Sequence, residues 1–162
     1  MVNVSGIISI SLKNKLSKEV QAMNEDVWKA VQKHLNYNNE EMEIFRADPR
    51  NEDALSKTAL MLNKTIIAEV IEAHGCDSGH KVGDKFYFDG RGVSLLAKLG
   101  PSRVCIFALH SIALALPAVA ELLYAGDDPN KMRFKRFGCP DVGVKCGGWG
   151  HIVMEIKVED RK

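Results

Sequence analysis

Hydrophobic and polar positions follow two different rhythms along the chain. Val20, Met23, Val27, Val31 and Leu35 recur at three- and four-residue steps, with Lys18, Glu25, Lys29 and Lys33 between them. That spacing predicts one apolar face of an amphipathic helix. Ser17 stands where an N-cap is expected, and Asn36-Tyr37-Asn38-Asn39 ends the pattern. A short helix is expected over Met42, Ile44 and Phe45. Pro49 opens a new section, in which Leu55, Ala59 and Leu62 mark a third helix. A short apolar run over residues 7–12 reads as a strand that precedes them all.

The rhythm changes near Thr65. Residues 65–73 are β-branched and aliphatic, which favours a strand. Gly75-Cys76-Asp77-Ser78-Gly79-His80 is a glycine-bracketed turn. Residues 81–89 resume as a strand, with Phe86 and Phe88 on one face and Tyr87 on the other. Residues 104–123 are almost wholly apolar. His110, Ser111, Pro117 and Glu121 interrupt them, so a buried helix pair with Pro117 at its restart is expected rather than a membrane span. Residues 132–137 read as a strand with Met132 and Phe134 inward. Ile152, Met154, Ile156 and Val158 alternate with Glu155 and Lys157, the pattern of a half-buried antiparallel strand. Helices followed by strands, helices and strands imply an α+β fold. It would be a small antiparallel sheet covered by helices, with an N-terminal helical arm (1–64) beside a core module (65–162).

Composition narrows the function classes. The chain has 162 residues, 46% of them hydrophobic, and a net charge of +1. A real core can form without staples. Mixed charge and few aromatics give no electrostatic case for a nucleic-acid or membrane-surface partner. The opening residues lack the basic and apolar regions of a secretory leader, so a cytoplasmic protein with reduced or metal-bound thiols is expected.

Those thiols are the candidate chemistry. Cys76 and His80 lie in one turn, and Cys139 and Cys146 flank a glycine-containing loop. A Cys₃His site for zinc or iron needs these residue types, with His151 as a second candidate histidine. No Cys-x-x-Cys is present. The alternatives are a Cys76 thiolate activated by His80 and oriented by Asp77 or Asp84, or small thiols that simply pack in tight turns. Cys105 lies in the apolar run and reads as a core thiol. His110, in the same run, reads as a core histidine or a pocket acid or base.

Cys76-Asp77-Ser78-Gly79-His80-Lys81-Val82-Gly83-Asp84, with a later cysteine at a helix start (Cys105) and Cys139-Pro140-Asp141 before a final strand, resembles a small uncharacterised prokaryotic family. That family is marked by Cys-x-x-Gly-His-x-x-Gly-Asp and a late Cys-Pro-Asp, and the resemblance covers about residues 66–158. It implies Cys76, Gly79, His80, Gly83, Asp84, Cys139, Pro140 and Asp141 as marked positions and draws Cys105 toward the site. It implies no activity.

Three functions fit these features. The first is a small binding or accessory protein with a metal or redox-linked cysteine–histidine site, serving a larger enzyme. The second is a small enzyme with a Cys/His pocket. The third is an oligomerising domain whose helical arm packs on a second copy.

Overall fold

The computed structural model describes residues 23–161. The expected strand at 7–12, the Ser17 cap and Val20 lie outside them. The chain divides into two compact units between Ser56 and Lys57.

The first unit is helical. It contains α1 (Glu25–Leu35), α2 (Asn39–Ala47) and α3 (Pro49–Ser56). The Asn24 side chain caps α1 by accepting from the N–H of Asp26, and Asn36 closes it in the left-handed region. Asn38 and Glu41 form a reciprocal capping box on α2, which satisfies two of that helix's orphan donors. The buried side chain on α1 is Trp28, not the stripe through Val27 and Leu35. Its ring meets Phe45 edge-on at 6.4 Å, and the Arg46 guanidinium stacks over it at 5.0 Å. A large aromatic with a partner on the next helix outweighs a regular row of smaller residues.

The second unit opens with α4 (Thr58–Leu62) and the strand β1 (Lys64–His74). Met61 of α4 is fully buried against Ala120 and Leu123. This short helix therefore belongs with the sheet and not with the arm. β2 (Lys85–Asp89), β3 (Arg136–Gly138) and β4 (His151–Asp160) complete an antiparallel sheet in the order β2-β1-β4-β3. The helices α5 (Ile106–Ala113) and α6 (Leu116–Ala125) fall within the apolar run. Residues 106–125 are, by length and composition alone, apolar enough to cross a membrane, with mean hydropathy 1.9. Here they form two helices, with Pro117 in the first turn of the second.

One sheet face carries the core. Ile66, Ala68 and Val70 of β1 stand opposite Val158, Ile156 and Met154 of β4, and Ile66 and Ala68 also face Phe88 and Phe86 of β2. Ala108, Ile112, Leu116 and Val119 from α5 and α6 join the same cluster. A strict period of two along β1 would aim Glu72 into this core. The register shifts between Val70 and Glu72 instead, so that Ala73 pairs with Ile152 and packs on the core. The bulge thus turns a carboxylate outward and keeps the apolar face continuous.

Two strand expectations need correction. β2 begins at Lys85, because residues 81–84 form a turn in which the N–H of Asp84 donates to the Lys81 carbonyl at 3.0 Å. β3 is only three residues long, and Phe134 lies outside it at 75% exposure. Phe134 is met instead by the Arg133 guanidinium, 5.0 Å from its ring.

Candidate functional site: a cavity with three thiols

The turn after β1 is built by its glycines and by His80. Gly79 and Gly83 adopt positive φ, +75° and +94°, a conformation that costs other residues. The N–H of Gly79 donates to the Cys76 carbonyl at 2.9 Å. His80 is buried, with its ring edge-on to Phe86 at 5.1 Å. Its Nδ1 lies 3.3 Å from Asp84 Oδ2. An ionised carboxylate accepts, so this contact suits the ring tautomer with its proton on Nδ1. Asp84 also accepts from the N–H of Lys81 at 3.2 Å. His80 and Asp84 therefore pin the turn to β2. Within the turn Cys76 and Ser78 are half-buried, and Cys76 packs on the core.

A second loop meets that turn. The Asp141 carboxylate accepts from the N–H groups of Gly143 (2.9 Å), Trp149 (3.0 Å) and Gly150 (3.2 Å). The Gly143 and Gly150 N–H groups hold its pKa below the ordinary carboxylate range against the effect of burial, with smaller help from Trp149 and the nearby His151. Gly150 then runs hard against the end of β1, since a Cβ there would sit 2.0 Å from the Gly75 carbonyl oxygen. Cys139 is fixed to β4 through both its backbone and its side chain. Its N–H donates to the Ile152 carbonyl at 3.0 Å, and its Sγ accepts from the Ile152 N–H at 3.4 Å.

Between the two loops and the start of α5 is a cavity of about 530 Å³, lined by Cys76, Cys105 and Cys139 together. That volume falls in the range of small-molecule sites, roughly 300–1,000 Å³. All three thiols are free and half-buried. Cys105 occupies the N-cap position of α5. Burial pushes its thiol pKa up. The Ser78 hydroxyl and the N–H groups of Ala108 and Phe107 outweigh that, and the pKa ends below its ordinary value despite an opposing push from the Asp77 carboxylate. Helix N-termini favour thiolate for the same reason: their N–H dipoles point at the sulfur.

No family model, curated protein or solved structure matches this chain.

The expected ligand set is not brought together. Cys76 and Cys139 share the cavity, but His80 does not line it. Cys146 is exposed on a 3-10 turn (Val144–Cys146) and borders a separate cleft of about 580 Å³ with Glu72 and His74. Among the described residues no group of three or more His, Cys, Asp or Glu side chains is placed to hold a metal ion. His151 lines both hollows, and its Nε2 meets Glu72 Oε1 at 3.0 Å. His110 is exposed and lines neither, because Ala108 and Ile112 take the inward face of α5. Asp84 serves the turn. Ser78, which the spacing of cysteines and histidines does not single out, lies beside Cys105. Its only signal is its place two residues after Cys76.

Proposed function

We propose that this protein is a small thiol-based binding or accessory protein whose working group is the Cys105 thiolate. The observation that carries this reading is the convergence of three cysteines on one cavity, with Cys105 at a helix start beside Ser78. A thiol of depressed pKa, reachable from solvent, is the form that reacts with electrophiles and oxidants at neutral pH. Cys76 and Cys139 line the same cavity, which suits redox-linked service to a larger enzyme.

The test is alkylation rate against pH for each cysteine, read by peptide mass spectrometry. Cys105 should react with a midpoint below the free-thiol value of about 8.5. It should also outpace exposed Cys146 at neutral pH. A Cys105 midpoint at or above the free-thiol value would remove the reading.

A second reading, a small enzyme, is favoured by His151, which lines the same cavity and could carry a proton for Cys105 chemistry. Turnover separates the two. A binding protein keeps a stoichiometric adduct, whereas an enzyme releases product and regenerates the thiol.

A further inference from the structure

The lining of the thiol cavity is one-sided in charge and in polarity. Its side chains include the carboxylates of Asp77 and Asp141 and no Lys or Arg. His151 is the one group there able to become cationic, and it is bonded to the Glu72 carboxylate. Val104, Ile106, Phe107 and Trp149 give the lining an apolar part. These four are exposed, Trp149 by 76%. A half-open hollow with thiols in its wall, carboxylates beside them and exposed aromatic side chains in its lining repels anions and welcomes flat apolar groups.

We propose that this cavity selects uncharged, apolar electrophiles of the α,β-unsaturated carbonyl class for Cys105, and turns away anionic thiol reagents, glutathione disulfide among them. The inference rests on the reading of Cys105 as the reactive thiol. In the step itself the Cys105 thiol releases its proton to water and the thiolate attacks the β-carbon. A carbon–sulfur bond forms as the C=C π pair moves to the carbonyl as an enolate. The enolate carbon then takes a proton from water, nothing leaves, and no electrons are gained or lost overall. The Asp77 carboxylate acts electrostatically on the Cys105 thiol, so its field also reaches an incoming charged reagent.

The experiment compares labelling rates at Cys105 in the full chain, each divided by the rate of the same reagent with free cysteine. One arm uses a trimethylammonium-bearing and a sulfonate-bearing methanethiosulfonate. The sulfonate should be slower by about tenfold or more, as expected for a site focusing one sign of charge. Asp77→Asn, a change at an exposed turn position, should shrink that difference. The other arm uses N-phenylmaleimide and N-ethylmaleimide, and the phenyl reagent should gain at Cys105 and lose that gain in Trp149→Ala. Equal normalised rates in either arm overturn the proposal while leaving Cys105 as the reactive thiol. If Cys105 is not the fastest cysteine with any of these reagents, the reading beneath it fails instead.

Discussion

Gly150 gives the sharpest test of how the thiol cavity is assembled. A Cβ placed there would lie 2.0 Å from the Gly75 carbonyl oxygen and 2.5 Å from that of His74. Ordinary contact is about 3.4 Å or more, so Gly150→Ala must force the strand ends apart by more than an ångström. Both obstacles are backbone atoms, and no side-chain rotation can relieve them. The strain falls on the His74–His151 pair that closes the β1–β4 ladder. Overpacking of this kind costs about 2–3 kcal/mol. The control is Gly147→Ala. Gly147 has φ +86° and nothing within 4 Å of its would-be Cβ, so that change costs only the left-handed strain of about 1 kcal/mol. Urea unfolding of both variants measures the difference, with the m-value checked for constancy. Gly150→Ala should also change the Cys76 alkylation rate, because the turn bearing Cys76 is displaced, whereas Gly147→Ala should leave that rate alone. Equal losses of stability, or a Gly150→Ala loss at or below that of the control, would refute the close approach of the two loops.

Asp89 accepts from the N–H of Val93 at 3.0 Å and from Arg91 at 3.0 Å. Burial pushes its pKa up, but the Val93 N–H, Arg91 and the Ser94 N–H together leave it below the ordinary carboxylate value. The folded state therefore binds that proton less readily than the unfolded chain. The stabilisation is complete above the unfolded value of about 3.9 and is lost as pH falls through the lower folded value. Asp89→Asn should flatten the acid limb of a stability–pH curve, and an unchanged limb would refute the assignment. Met154→Ala, at a fully buried position facing Val70, should cost about 2–5 kcal/mol. Phe134→Ser, at an exposed position, should fall within about 0.5 kcal/mol of the parent, and thermal melts of the pair would reverse that order if Phe134 were a core residue. His80→Ala removes a ring packed on Phe86 and takes the imidazole away from Asp84, which keeps the Lys81 N–H. It should lower stability by about 2 kcal/mol or more, and the loss should persist in Cys105→Ser, because His80 acts on the turn and not on that thiol.

The α+β fold was legible wherever one period ran unbroken. Ile152, Met154 and Ile156 alternate cleanly and are all buried in β4, and Phe86 and Phe88 share the inward face of β2. Legibility failed where a local device overrode the period. The bulge after Val70 exchanges the facing of Glu72 and Ala73, and nothing in the spacing of β1 announces it. Phe134 suits an inward strand position by type, yet β3 starts only at Arg136.

The site divides along the same line. Turn glycines and nearby residues could be read, because Gly79, His80, Gly83 and Asp84 interact across a few positions. Spacing alone could not place Cys105, which the family resemblance drew toward the site, because its position beside Ser78 depends on α5 packing against the sheet, a long-range event. This explains why His80, four residues after Cys76 in the chain, does not line the cavity with it. In the resembling motif, Gly79, His80, Gly83 and Asp84 shape the turn and lock it to Phe86 and β2. The residues they frame, Cys76 and Ser78, then reach the cavity where α5 delivers Cys105 and the Asp141 loop delivers Cys139. On that division, substitutions of the framing residues should act first on stability, and substitutions of the framed ones first on thiol reactivity.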